Sequence, residues 1–142
     1  MDTDNRVYYK RSVDEAISRT PVILAVDDSI IILKTISEVL RDKYKVYTLP
    51  KPTELENVLK RVTPDLFIID YLMPVISGFD LVTVIRGIEK HKETPILFLT
   101  SEGTLVNVAV AVSLGVSDFM VKPIVPDTLR ERVAKLTAKI NR

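Results

Sequence analysis

The side chains of this sequence that could do chemistry each follow a short apolar run. Val22 to Val26 leads into Asp27 and Asp28, Leu66 to Ile69 into Asp70, Ile96 to Leu99 into Thr100, and the run ending at Val121 into Lys122. If such runs are parallel strands of one open sheet, ligands bind beyond their carboxyl ends. Carboxylates, a hydroxyl and an ammonium group would then share one rim. Carboxylates held close together repel, and each resists ionising. A hard divalent cation resolves the conflict, because magnesium takes oxygen ligands from one or two carboxylates, phosphate and water. One aspartate is left free as a nucleophile, and aspartate forms acyl phosphates in known enzyme classes. Phosphoryl transfer is mainly positioning and charge neutralisation. The expected chemistry is therefore transfer of a phosphoryl group to a carboxylate. Magnesium (or manganese) and Lys122 would neutralise the phosphoryl oxygens, and Thr100 would donate a hydrogen bond to one of them.

The elements that must position these groups alternate along the chain. After Asp28, Ser29 can cap a helix in which Ile30, Ile31, Leu33, Ile36, Val39 and Leu40 recur at helical spacing. Tyr44 to Leu49 reads as a strand, broken by Pro50 and Pro52, and Thr53 to Val62 as a second helix. A loop from Tyr71 to Gly78 precedes a third helix from Phe79 to Glu89. Leu105 to Leu114 is expected to be the fourth helix, ended by Gly115. Its valines at 106, 108, 110 and 112 have a strand period, but the interleaved alanines and the need for a crossover favour helix. Asp118 to Val121 is the last strand, and the pattern from Pro126 onward is helical, with proline suited to a first turn. Strict alternation with continuously apolar strands predicts an α/β domain: a five-stranded parallel sheet covered by helices on both faces. This domain is expected over residues 21–142. Residues 1–20 stand outside the repeat as an N-terminal extension. Ser12 to Glu15 has the form of a capping box, so residues 13–19 read either as one or two helical turns or as a polar tail.

Composition excludes several function classes. The 142 residues fit one domain with a real core, 46% of them being hydrophobic. There is no cysteine, hence no disulfide, thiolate nucleophile or zinc–cysteine site. The single histidine, His91, rules out histidine triads and multi-histidine metal sites; flanked by Lys90 and Lys92, it reads as a solvated helix-end residue. The glycines at 78, 87, 103 and 115 are too scattered for a Walker loop or a dinucleotide fingerprint. A net charge of +1 carries no basic footprint, so direct nucleic-acid binding is not expected. The acidic N-terminus is unlike a signal peptide, and no apolar stretch is long enough to span a membrane. The expected setting is cytoplasmic.

Taken together, Asp27-Asp28, Asp70 followed by Met73-Pro74 and Gly78, Thr100-Ser101 and Lys122-Pro123 resemble the receiver domain of bacterial two-component response regulators. The resemblance covers Val22 to about Arg142. It implies a flavodoxin-like sheet order 2-1-3-4-5, and it implies roles residue by residue. Asp70 is similar to the phosphoacceptor. Asp28 resembles the direct metal ligand and Asp27 the one acting mostly through water, with the backbone carbonyl of Leu72 as a further ligand. Lys122 resembles the lysine that pairs with the phosphoryl group, Thr100 the switch hydroxyl, and Phe119 the aromatic that swings inward with it. The Lys122–Pro123 bond would be cis. The phosphoryl donor would be a histidine kinase or a histidine phosphotransfer protein. The chain would act as a signalling switch that promotes its own phosphorylation and dephosphorylation, not as an enzyme with a separate substrate. Ser77, Val116, Pro50 and Pro52 depart from the commonest family pattern without touching the proposed chemistry.

Each residue also has a plainer reading. Asp27 could cap the first helix, Thr100 could be a turn hydroxyl, Lys122 an exposed charge and Phe119 a half-buried core aromatic. Two other functions fit parts of the pattern. An aspartyl-nucleophile phosphatase would place its acids in an Asp-x-Asp arrangement, whereas these are adjacent. A pseudo-receiver acting only as an interaction module is disfavoured by intact Asp28, Asp70, Thr100 and Lys122. The fourth helix carries few polar side chains, so its apolar face around Leu105, Val108 and Val112, beside Phe119, is expected to meet a downstream protein, an effector domain or a second copy of the chain.

Overall fold

A computed structural model describes residues 19–101 and 108–140, with the backbone alone at Val108. Strands β1 (Val22–Val26), β2 (Lys45–Leu49), β3 (Leu66–Asp70), β4 (Ile96–Ser101) and β5 (Asp118–Lys122) form one parallel sheet in the order β2-β1-β3-β4-β5. Between them run helices α1 (Ile30–Leu40), α2 (Leu55–Leu59), α3 (Gly78–Arg86) and α4 (Val108–Ser113), and α5 (Pro126–Leu136) follows β5. This is the architecture and strand order expected. The order reverses between β1 and β3, where doubly wound sheets place their ligands.

The central strands β1, β3 and β4 are apolar up to their rim residues because both faces are covered, whereas the edge strands β2 and β5 carry polar residues. Leu24, Val26, Phe67, Ile69 and Phe98 point to one face and pack with Leu55, Leu81, Ile85 and Ala111 of α2, α3 and α4. Ile23, Ala25, Leu66, Ile68, Leu97 and Leu99 point to the other and pack with Leu33, Ile36 and Leu40 of α1 and Leu129 and Val133 of α5. Side chains alternate along a strand, so each central strand feeds two cores at once. The register then fixes the rim: Val26 lies beside Ile69, Asp70 beside Leu99, and Thr100 beside Val121.

Several boundaries differ from expectation. The second helix is shorter: Pro52, lacking an N–H, opens a 3₁₀ turn over Pro52–Glu54, and the α-helix proper is Leu55–Leu59. The third helix stops at Arg86 before Gly87, and Glu89–His91 forms a separate 3₁₀ turn. The last helix ends at Leu136. In the fourth, Val108, Val110 and Val112 of the strand-period run do form a helix, with Ala111 buried and Val112 exposed, and Val106 lies outside the described residues. Leu105, the side chain of Val108 and the Ser12–Glu15 box lie outside the described residues.

His91 is not solvated. Its side chain is buried, with Nδ1 2.8 Å from Thr94 Oγ1 and the ring packed edge-on against Phe67. The flanking lysines point outward while the 3₁₀ turn directs His91 into the base of the sheet.

Candidate acidic site at the sheet rim

The end of β1 sets the first two acids. Asp27 is fully buried, and Asp28, one residue on, is exposed. Asp27 Oδ1 accepts the Ser29 N–H at 2.8 Å, and Ser29 Oγ in turn accepts the Ile32 N–H, capping α1 as expected. The N-cap of α1 is therefore Ser29, and Asp27 supports it by accepting that residue's own N–H. The other Asp27 oxygen, Oδ2, is buried and faces the Lys122 ammonium at 2.9 Å, a charge-assisted contact.

Asp70, the last residue of β3, is 5% exposed. Its Oδ2 lies 3.4 Å from Lys122 Nζ. Carboxylate oxygens of Asp27, Asp28 and Asp70 all fall within 4.8 Å of one another. Lys122 ends β5, two strands from β3, and its long side chain crosses the end of β4 to reach both acids. The Lys122–Pro123 bond that follows is cis, as the resemblance implied.

The electrostatics follow from this crowding. Burial, and then the charge of Asp27, push the Asp70 carboxyl up to about 6, against the pull of Lys122 and the Leu72 backbone N–H. Burial alone would lower the Lys122 pKa, but Asp27 and then Asp70 outweigh it and hold the ammonium charged. The donor set suits a hard divalent cation: carboxylate oxygens of three aspartates, more negative charge than the single Lys122 ammonium offsets, with Asp28 exposed and open to water. Asp27, Asp28 and Asp70 could hold such an ion.

Thr100 is buried at the end of β4, beside β5. Leu72 is exposed in the loop after Asp70. Phe119 is half-buried, its ring 6.0 Å from Phe98 in an edge-on contact. Sequence reasoning missed what surrounds these residues. Tyr71, next to Asp70, packs with Phe79 and Phe98, so a chain of rings runs from the acidic site to Phe119. Ser77 caps α3 in a reciprocal pair with Asp80, which accounts for a serine at that position. Gly78 is required where it stands: a Cβ there would meet the Asp70 carbonyl oxygen at 2.9 Å and Tyr71 Cα at 3.0 Å. Thus α3 starts directly against the backbone of Asp70.

Comparison with known proteins agrees with this fold. The family profile described as "Response regulator receiver domain" matches residues 23–134. The chain is 35% identical over 108 residues to the two-component response regulator ORR3 of Oryza sativa subsp. indica, covering 75% of this chain and 82% of that one. It is 39% identical over 66 residues to the chemotaxis protein CheY1 of Helicobacter pylori, covering 46% of this chain and 53% of that one. The crystal structure of the chemotaxis response regulator CheY4 of Vibrio cholerae superposes with a TM-score of 0.75 at 34% identity, over 82% of this chain and 98% of that one. Among the described residues, no helix is long and apolar enough to cross a membrane.

Proposed function

Because this chain belongs to the response regulator receiver family, a signalling module of two-component systems, we propose that Asp70 is its phosphoacceptor and that the acids and Lys122 around it serve that transfer. The observation that carries the reading is the clustering of Asp27, Asp28 and Asp70 within 4.8 Å, with Lys122 Nζ 3.4 Å from Asp70. An Asp70 Oδ–P bond forms as the P–N bond of a phosphohistidine donor breaks. The imidazole nitrogen keeps the bonding pair and takes up a proton. With a pKa near 6, Asp70 is mostly ionised at neutral pH and available as the nucleophile.

Asp27, Asp28, Asp70 and the Leu72 carbonyl would hold magnesium or manganese, which when bound supplies charge neutralisation at the phosphoryl oxygens. Lys122 contributes a fixed cation already drawn to Asp70. Thr100 offers a hydroxyl to a phosphoryl oxygen, and Phe119 follows its movement. The same residues promote later hydrolysis of the acyl phosphate, so the chain turns over its own signal without a separate substrate. The domain spans residues 21–142 and acts in the cytoplasm.

The donor is a histidine kinase or a phosphotransfer protein. Ile30, Ile31, Leu72 and Val75 are all exposed, each within five residues of Asp28 or Asp70 in the chain. Exposed apolar groups so near the acids suit a protein donor better than a free small molecule. The response is read on the face formed by α4, β5 and α5, with Val112 and Phe119 as described contacts and Leu105 and Val108 completing the set. Its partner there is a downstream protein, an effector domain or a second copy. The signal follows from that partner's unequal affinity for the two states.

The test is intact mass after incubation with magnesium and acetyl phosphate. One phosphoryl adduct, absent in Asp70→Asn, is expected. Turnover of acetyl phosphate without an adduct would instead favour the phosphatase, and neither adduct nor metal binding the interaction module.

A further inference from the structure

Arg86, the last residue of α3, is spent on backbone carbonyls. Its Nε donates to Leu114 O at 2.9 Å and its Nη2 to Gly115 O at 2.8 Å, while Nη1 donates to both His91 O and Thr94 O at 2.8 Å. Among the described residues it forms no ion pair with a carboxylate. The fork therefore bridges two places: the connection between α3 and β4, and the C-terminal end of α4.

That end is itself specified. Gly115 has φ +74°, its N–H bonds Val112 O at 2.9 Å, and the Val116 N–H reaches back to Ala111 O at 3.0 Å. This pairing closes a helix with a left-handed residue, and it leaves the carbonyls of the last residues pointing outward. Arg86 takes the carbonyls of Leu114 and Gly115, placing a cation at the negative end of the helix dipole. Gly115 serves the contact twice. It supplies the positive φ, and a Cβ there would lie 3.4 Å from Arg86 Nη2. At its other end, α3 starts against the carbonyl of Asp70 through Gly78. One short helix is thus fixed to the backbone of the proposed acceptor at its start and to the end of α4 at its finish.

We propose that Arg86 is a positioning residue that clamps the C-terminal end of α4, making Leu114–Val116 the stationary point about which α4 turns when the acidic site changes state. The clamp is a claim about the resting protein; the turning rests on the phosphoacceptor reading, and the experiment separates them.

Amide exchange is measured by NMR on the full chain, wild type against Arg86→Lys and Arg86→Gln. Lysine keeps the charge but cannot reach four carbonyls with one ammonium. Hydrogen bonds from a charged donor are the strong ones, so the Gly115 and Val116 amides should exchange about tenfold faster in both variants, with Ile68 and Leu97 unchanged. If Arg86→Gln speeds every amide together, it has weakened the whole fold, and Arg86→Lys decides. Wild-type exchange rates at Gly115 and Val116 in a folded variant overturn the clamp. In a second arm, magnesium and acetyl phosphate are added and the adduct is confirmed by mass. In wild type, the resonances of Val110, Val112 and Phe119 should move while Gly115 and Val116 hold still; in Arg86→Lys the change should extend to Gly115 and Val116. Equal movement of Val110 and Val116 in wild type overturns the pivot. Absence of an adduct sinks the phosphoacceptor reading alone, and the exchange arm still decides the clamp.

Discussion

The Lys122 ammonium lies nearer to Asp27, at 2.9 Å, than to Asp70, at 3.4 Å. The cation is thus held by the acid expected to bind metal, and shared with the acid expected to accept the phosphoryl group. Lys122→Met should remove both contacts at once. The Asp70 carboxyl, already raised to about 6, would then rise further, because Lys122 is the charge that opposes its burial. Carboxyl ¹³C titration of Asp70 without metal measures this directly. The same variant should accumulate the aspartyl phosphate at least about tenfold more slowly, as loss of a charged group at a transferring phosphoryl typically costs ~1.4 kcal/mol or more. An unshifted titration would show that Lys122 does not govern Asp70.

Asp70 should destabilise the metal-free fold at neutral pH. Its folded pKa, about 6, lies above the model-peptide value of 3.8. A carboxyl raised on folding contributes stability below its unfolded pKa and loses it as pH rises through the folded pKa. The window here is therefore from about pH 4 to about pH 6. Asp70→Asn removes this charge, and should gain about 1–3 kcal/mol at pH 7 after allowance for screening at the open rim. Urea melts in chelator at pH 4 and pH 7 test it. The gain should be present at pH 7, absent at pH 4, and smaller when magnesium is added.

What could be foreseen from sequence was whatever has a local signature. Leu66–Ile69 ending in Asp70 is a buried strand by composition, and its acid falls at the rim by geometry alone. The same holds for Asp27, Asp28, Thr100 and Lys122. Features fixed by distant backbone were not visible. Arg86 looks like an ordinary basic residue in a last helical turn, because its partners are main-chain carbonyls up to 29 residues away. His91 sits between lysines, and nothing local reports that a 3₁₀ turn buries it against Phe67. The shortening of the second helix could have been read from Pro52, whose missing N–H suits only a first turn.

Gly78→Ala should disturb the acidic site through the main chain. The added methyl would stand 2.9 Å from the Asp70 carbonyl oxygen and 3.0 Å from Tyr71 Cα, neither of which is a flexible side-chain end. Either α3 or the end of β3 must shift. The expected cost is about 1–3 kcal/mol in stability, as for other overpacked positions. Weaker magnesium binding should accompany it, since the displaced backbone carries Asp70. Thermal melts with and without magnesium separate the two effects: the metal-dependent rise in Tm should be smaller in the variant than in wild type.

Val112→Asp should interrupt partner binding without touching the chemistry. Val112 is 65% exposed on α4, far from any role in the core, so the fold should lose less than about 0.5 kcal/mol. A charge at the centre of an apolar contact opposes association, because it must be desolvated without a partner. Sedimentation velocity of the phosphorylated protein should show less self-association than wild type, while adduct formation at Asp70 proceeds at the wild-type rate. Equal loss of both would mean that the substitution acts on the site and not on the surface.

His91 should make the fold acid-sensitive. Burial first, then the charges of Lys90 and Arg86, hold its pKa below 6.5, with Asp65 opposing them. A base whose pKa falls on folding must release its proton to fold, so its neutral form supports stability above pH 6.5 and this support is lost as pH falls below that value. The contact at risk is specific: Nδ1 lies 2.8 Å from Thr94 Oγ1, while Nε2 is buried with no hydrogen-bond partner among the described residues. A proton on the ring would place an unpaired charge against Phe67 and close to Arg86, whose guanidinium bonds the carbonyl of His91 itself. Between pH 7.5 and pH 5.5, Tm should fall further in wild type than in His91→Gln, which cannot titrate. Parallel curves for the two proteins would show that the ring stays neutral across this range.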